Sequence, residues 1–402
     1  MRLLLVNDFT EASGAELLVR SLRRNCEALG HETYLATCHG DSDFKLPDKT
    51  LRAWVNPRNI HAERTFKNIL KKLSPDLVHF HNIRRVGLSP LKATLESETP
   101  CLYSLHDYLP LCPQRTMYRN GLNCTHFEDC FKCFYGKVER WKIGAIASSP
   151  LHHALNRILL KPLRSRILPV INQVLKVVPT AYMRTRLERF GVEGINVITP
   201  GIDLGNQPDP SSGRQYLGLP RNACVVGYYG RHSMEKGITL LSQTWRIIER
   251  NFPSAYLVTT GKPHEFGGRM DFVNELRGSR VIHLGKLEED LFARVVSSTD
   301  IFAAPSLWEE PFNLSVTTAM ALGKPVIATT VSGHLEQVTH GLNGFVSKSE
   351  PNEFAMYMSE LIKDVELRHR MGRAAREIYL KRFTGKSCAL SYVQAYRSLL
   401  KT

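Results

Sequence analysis

The chain has no uninterrupted apolar run of the roughly 18 residues that a membrane-spanning helix requires. That argues against a helical integral membrane protein. The apolar run at the start, Leu3 to Val6, is too short for a secretion leader and is read as a buried first strand, so a cytoplasmic chain is expected. There is no short internal repeat and no low-complexity tract, which argues against solenoids and disordered tails. Paired cysteine motifs are scarce. Of nine cysteines only Cys130 and Cys133 have Cys-x-x-Cys spacing. With Cys112 and Cys124 they leave two readings open, a four-thiolate zinc site or a loop of free thiols, and no metal is required by anything else in the chain. No zinc-finger pair, RNA-recognition signature or aromatic-interleaved basic groove is present, so no nucleic-acid partner is expected.

Acidic residues are also in short supply. Lys and Arg number 53 against 38 Asp and Glu, a net charge of +15. The imbalance is concentrated between Phe134 and Phe190, where Glu139 and Glu188 alone oppose a series that includes Lys137, Arg157, Lys161, Arg164, Arg166 and Arg189. Apolar residues such as Leu155, Ile158 and Leu159 lie between these cations at helical spacing. Such basic amphipathic segments lie on anionic membrane surfaces. The alternative is a helix packed by its apolar face with its cations in water. The first reading predicts a cytoplasmic protein held peripherally on the cytosolic membrane face.

What is present is ample globular material. A length of 402 residues, 43% hydrophobic and 23% charged, suits two or three domains of ordinary size. The first half alternates strands and helices: strands at Leu3–Val6, Glu32–Ala36, Leu77–Phe80 and Cys101–Leu105, with helices over Ala15–Leu29 and Glu63–Leu73. A turn-rich run from Gly205 to Arg214 reads as a linker. The pattern then restarts with strands at Cys224–Tyr229, Ala255–Thr260, Val281–Leu284, Ile301–Ala304 and Pro325–Ala328. Phe354 to Phe383 reads as helical, and Ser387 to Leu400 as a last amphipathic helix. The fold class is therefore α/β, as two doubly wound units. The expected boundaries are 1–204, a linker at 205–215, 216–384, and a terminal helix at 385–402 that packs back on the first domain.

Two stretches carry candidate chemistry. In the first, Gly230-Arg231-His232-Ser233-Met234-Glu235-Lys236-Gly237 follows a strand and opens a helix. Gly230 allows a tight turn there, and two cations beside a helix start suit a diphosphate. A solvated surface pair is the alternative. In the second, the loop Leu307-Trp308-Glu309-Glu310-Pro311-Phe312-Asn313-Leu314 joins a strand to a small-residue helix stopped by Gly323. Amides near Asn313 and Leu314 would form an anion site at that helix start, and Glu310 would sit at a strand's carboxyl end, where open α/β sheets bind ligands. A well-packed strand–helix unit with an incidental Glu is the alternative.

These stretches resemble the donor-site signature of family 4 retaining glycosyltransferases. Glu310 with Ala319-Met320-Ala321 and Gly323-Lys324-Pro325-Val326-Ile327-Ala328 matches its Glu-rich motif, and Arg231 with Lys236 matches its diphosphate pair. Gly14 in Ser13-Gly14-Ala15-Glu16 resembles the family's glycine loop beside the donor phosphate. His81 in the run Pro75 to Asn82, and His106-Asp107-Tyr108, resemble its acceptor-side segments. The second Glu of the family motif falls on Thr318, a departure at the residue that would hold the ribose.

The resemblance implies a GT-B fold with two Rossmann-like domains facing a central cleft. It implies retaining transfer of a hexose from a nucleotide diphosphate sugar to a saccharide or lipid-linked saccharide, in the synthesis of cell-surface polysaccharide or glycoconjugate. Glu310, His106, Arg231 and Lys236 would be catalytic. Gly14, Gly230, Asn313, Leu314 and Thr318 would bind the donor, and His81 and Asp107 would line the acceptor side. No cofactor is needed in that chemistry. Two rivals are a non-catalytic GT-B partner subunit, suggested by Thr318, and a basic nucleic-acid-binding protein with a zinc loop.

Overall fold

The computed structural model describes residues 1–10, 14–48, 59–112, 114–119, 121–125, 167–204, 209–261 and 278–401. The chain divides into two units. The first comprises 1–117, 124–203 and 384–402; the second comprises 118–123 and 204–383.

The first unit is built on a seven-stranded sheet in the order β3-β2-β1-β4-β5-β8-β9. Its strands are β1 Arg2–Phe9, β2 Glu32–His39, β3 Phe44–Lys45, β4 Leu77–Phe80, β5 Cys101–Ser104, β8 Leu175–Val178 and β9 Ile195–Val197. Every pairing in it is parallel. Parallel strands covered on both faces must be apolar throughout, and Leu3, Leu4, Leu5 and Val6 are all fully buried. Helix α1, Gly14–Ala28, buries Leu18, Leu22 and Cys26 along one stripe. Helix α2, Ile60–Leu73, starts where Asn59 accepts a hydrogen bond from the Ala62 N–H and ends on Lys71 and Lys72. Further helices are α3 Ser89–Glu96 and α4 Ala181–Glu188.

The second unit has a six-stranded parallel sheet in the order β12-β11-β10-β13-β14-β15. Its strands are β10 Cys224–Tyr229, β11 Ala255–Thr260, β12 Val281–His283, β13 Ile301–Ala304, β14 Val326–Thr329 and β15 Gly344–Ser347. Its helices are α5 Pro210–Tyr216, α6 Ile238–Asn251, α7 Glu289–Ser297, α8 Leu314–Ala321, α9 Ser332–Gln337, α10 Pro351–Lys363 and α11 Val365–Arg382. One core of Trp245, Leu257, Ile327, Phe354 and Met358 lies on one face of the sheet, and a second of Val258, Phe302, Val316, Met320 and Tyr379 on the other. The short hairpin of β6 Tyr118–Arg119 and β7 Leu122–Asn123 also belongs to this unit.

Two elements differ from the sequence expectation. Residues 210–216 form α5, started by Pro210 and capped by Asp209, within the run read as a linker. The single helix expected over Phe354–Phe383 is two helices, because Asp364 leaves helical geometry and caps the second by accepting from the Leu367 N–H. The last helix, α12 Gly385–Leu399, is a member of the first unit, where its Tyr396 hydroxyl meets His79 Nδ1 at 2.7 Å. The basic segment falls largely in 126–166, outside the described residues.

In both sheets the strand order reverses next to one strand. β1 lies between β2 and β4, and β10 between β11 and β13. Loops leaving the carboxyl ends of such neighbours diverge and open a crevice. The candidate residues follow β1, β4 and β5 in the first unit and β10 and β13 in the second.

Candidate active site

In the second unit, Glu310 is the hub. It is 3% exposed, follows β13, and is surrounded by donors. Lys236 Nζ donates to its Oε1. Ser306 Oγ donates to Oε2 at 2.6 Å and Trp308 Nε1 to the same oxygen at 3.2 Å. Burial alone would raise the carboxyl pKa, but Lys236, His334 and the hydrogen bonds from Lys236 and Ser306 outweigh it and hold the pKa below its ordinary value. Glu310 is therefore ionised at neutral pH. Its carbonyl is also pinned, by the Ser332 hydroxyl at 2.9 Å and the Gly333 N–H at 2.9 Å. A Cβ on Gly333 would stand 2.5 Å from that carbonyl, so only glycine permits the approach.

Lys236 ends a 3₁₀ turn, Met234–Lys236, and its ammonium also lies 5.4 Å from the Trp308 ring centroid. Gly237 follows at φ +75°, packed so closely on the Pro305 carbonyl that any side chain would collide with it. That contact seats the loop after β10 against the loop after β13. Arg231 is more exposed, at 40%, and pairs with Glu235 at 3.6 Å. Gly230, from which the loop departs, has its N–H on the Thr260 carbonyl at 3.1 Å.

Asn313 starts α8. Its side chain accepts from the Ser315 and Val316 N–H groups. Its own N–H donates to Gln337 Oε1 at 3.1 Å, and its Nδ2 lies 3.2 Å from His334 Nε2. Burial holds His334 down at about 4, so the ring is neutral and acts as a hydrogen-bonding spacer. Leu314 is the first residue of α8, and its carbonyl accepts from the Thr318 hydroxyl at 3.0 Å. The Thr318 side chain is buried and turned back on its own helix.

The first unit gathers three histidines. His79 on β4 and His81 just after it have ring centroids 3.9 Å apart. His81 Nδ1 meets His106 Nε2 at 2.9 Å, with the rings nearly coplanar. Between neutral imidazoles one nitrogen donates and the other accepts, so this bond couples the two tautomers. Burial keeps His79 and His81 well below their usual pKa and lowers His106 too. His79 is held from outside by Tyr396 and by Ser104 Oγ at 2.7 Å, and Ser104 in turn meets the Tyr392 hydroxyl at 2.9 Å. His81 Nε2 is buried without a partner.

Asp107 is committed locally, to the Leu109 N–H at 2.8 Å and to Arg115 at 3.2 Å. Gly14 is the first residue of α1; Ser13 lies outside the described residues. Cys112 and Cys124 are free thiols, while Cys130 and Cys133 lie outside the described residues. Among the described residues no group of three or more His, Cys, Asp or Glu is arranged to hold a metal.

Sequence reasoning brought forward Glu310, Lys236 and Asn313, and these share one network. It brought forward His81 and His106, and these share another. It missed Ser306, Ser332, His334 and Gln337, which orient the first network, and His79, Ser104, Tyr392 and Tyr396, which brace the second. Only Ser332-Gly333-His334 carried a signal, as a Gly-His pair following a strand.

Comparison with known proteins agrees with this architecture. A model described as glycosyl transferases group 1 matches residues 213–378, and one described as glycosyltransferase family 4 matches residues 12–206. D-inositol 3-phosphate glycosyltransferase of Corynebacterium urealyticum is 29% identical over 220 residues, 51% of each chain. Lipopolysaccharide 1,2-N-acetylglucosaminetransferase of Salmonella typhimurium is 24% identical over 240 residues, 55% of this chain and 61% of its own. The alignments thus span about half the length of these relatives. Among solved structures, sucrose-phosphate synthase of Thermosynechococcus elongatus superposes with a TM-score of 0.71 at 18% identity, covering 100% of this chain and 99% of its own. HepE of Anabaena, in complex with UDP and glucose, gives 0.71 at 19% identity, covering 99% and 100%. The two parallel sheets, the motifs at their carboxyl edges and these likenesses lead to one assignment: the chain belongs to the family 4 glycosyltransferases and has the GT-B fold.

Proposed function

We propose that the protein is a retaining hexosyltransferase, moving a hexose from a nucleotide diphosphate sugar to a saccharide or lipid-linked saccharide in cell-surface polysaccharide or glycoconjugate synthesis. The observation that carries the reading is the buried Lys236–Glu310 pair beside the capped start of α8, at the point where the second sheet reverses its strand order. In this reading Arg231, Lys236 and the amides at Leu314 stabilise the diphosphate leaving group, with Gly230 and Gly14 allowing close approach of backbone. Glu310 accepts hydrogen bonds from sugar hydroxyls. His106, its tautomer set by His81, orients the sugar, and Asp107 shapes the loop beside it. The Salmonella relative acts on lipopolysaccharide and HepE binds UDP and glucose, which supports the classes of acceptor and donor. Incubating purified protein with a panel of nucleotide sugars and acceptor saccharides, with products read by mass spectrometry, tests the proposal. Transfer or hydrolysis of one donor is expected; no turnover and no binding of any donor would overturn it.

A non-catalytic partner subunit is the second reading, favoured by Thr318. Thr has one hydroxyl and no charge, so it cannot make the two charge-assisted bonds a Glu would make to a ribose. Thr318→Glu should therefore tighten nucleoside diphosphate binding by about 1.5–3 kcal/mol in calorimetry. Weaker or unchanged binding would place the ribose elsewhere.

No helix among the described residues is long and apolar enough to cross a membrane. We propose peripheral attachment through the basic segment, on the strength of its sequence. Each Lys or Arg near an anionic bilayer contributes about 1 kcal/mol, fading within a Debye length. The protein should sediment with anionic vesicles and not neutral ones, less so as salt rises. Changing Arg157, Lys161, Arg164 and Arg166 to Gln should release it. Equal binding to neutral vesicles would refute the attachment.

A further inference from the structure

A buried polar atom without a partner is rare, because it has given up its bond to water for nothing. Three such atoms lie in the loop after β10: both ring nitrogens of His232 and Ser233 Oγ. His232 is 1% exposed. Its ring stands edge-on to His283 at 5.7 Å and tilted against Tyr228 at 5.7 Å. Neither neighbour serves it. The Tyr228 hydroxyl donates to the Arg231 carbonyl at 2.6 Å, and His283 Nδ1 meets the Thr259 hydroxyl at 2.6 Å. An imidazole kept only for packing would be better replaced by an apolar ring, so its unused bonds point to a ligand.

The chemistry narrows that ligand. Burial keeps His232 at a pKa of about 4, so at neutral pH it offers one donor and one acceptor and no charge. A phosphate presents acceptors and calls for cations, which Arg231 and Lys236 already supply. A neutral ring that can give or take a single hydrogen bond suits the edge of a nucleobase, which carries both donors and acceptors. Strand order gives the direction. Glu310 follows β13, Arg231 and Lys236 follow β10, and His283 ends β12. From β13 to β12 is three strand steps of about 4.8 Å. That is the reach of a sugar, a diphosphate and a nucleoside laid along the sheet's carboxyl edge.

We propose that His232, beside His283, hydrogen-bonds the base of the donor nucleotide and so determines which nucleotide the protein accepts. The inference rests on the donor reading above and adds the residue that reads the base. The test is calorimetry on the full chain with pyrophosphate and with the diphosphates of uridine, adenosine, guanosine and cytidine. The wild type should prefer one base. His232→Phe keeps a ring in place and should weaken the preferred diphosphate about tenfold, with pyrophosphate affinity held, so that the preference collapses. His232→Gln keeps a donor and an acceptor and should retain part of it. If the Phe variant does not fold, the Gln variant decides, by a changed or unchanged order of bases. An unchanged preference overturns the inference, as does a parallel loss of pyrophosphate, which would return His232 to the phosphates. If no nucleoside diphosphate binds the wild type, the donor reading itself fails.

Discussion

Glu310→Gln should reduce transfer by about 10²–10³ and lower the melting temperature as well. The carboxylate serves three donors at once: Lys236 on one oxygen, Ser306 and Trp308 on the other. An amide has one acceptor oxygen and one donor nitrogen. Whichever way it turns, an N–H₂ group faces a donor, and Lys236, only 17% exposed, loses its counter-charge. Breaking a buried pair from one side costs about 3–5 kcal/mol, because the remaining charge stays desolvated. The loss of turnover would follow from the missing contacts to the sugar and from a displaced Lys236, on the scale of about 2.7–4 kcal/mol for one preorganised electrostatic contact. Thermal unfolding and steady-state rates, measured on the same preparation, check both effects. A variant that melts and turns over like the wild type would remove Glu310 from the site.

Lys236→Met should cost a comparable factor in turnover and also change the pH profile. The Glu310 pKa lies below its reference value of 4.5 because Lys236, with His334 and hydrogen bonds, outweighs burial. A depressed carboxyl pKa adds stability above the unfolded value, which is lost as pH falls through the folded value. In the wild type the acid limb attributable to Glu310 should therefore lie below pH 4.5. Without Lys236, burial becomes dominant and pushes the carboxyl upward, so the variant's activity should begin to fall at a pH above 4.5 as the carboxylate takes up a proton, while the contribution of Glu310 to stability should reverse its slope and diminish as pH rises. Arg231→Ala provides the contrast. Arg231 is 40% exposed and its ion pair is screened, so it should lose turnover without the shift in acid limb. Superimposable pH profiles for Lys236→Met and the wild type would show that Lys236 does not set the ionisation of Glu310.

Much of this was legible in the sequence for identifiable physical reasons. A parallel strand buried on both faces is a short apolar run, so β1, β4, β10, β11 and β13 declared themselves. Helices showed their apolar stripes and their stops. The linker reading of 205–215 missed α5, because Pro210 and Asp209 signal a helix start and a turn equally well in a short segment. The break at Asp364 was hidden because α10 and α11 are both strongly helical and the signal for separation is one capping residue. Among the candidate site residues, Arg231, Lys236, Glu310 and Asn313 were visible because loop chemistry at strand ends is encoded locally. Thr318 was visible as a departure, but not that its hydroxyl folds back on Leu314.

The sequence by itself determined the two α/β units, the parallel character of their sheets and the loops that carry chemistry, since each depends on residues within a few positions of one another. Only the tertiary structure decided which of those residues meet. Lys236 and Glu310 are 74 positions apart, His79 and Tyr396 317 apart. Those pairings are set by strand order and by the return of α12 to the first unit. Tertiary structure likewise decided ionisation: the same Glu or His side chain titrates by its burial and its partners, and neither quantity exists until the chain has folded.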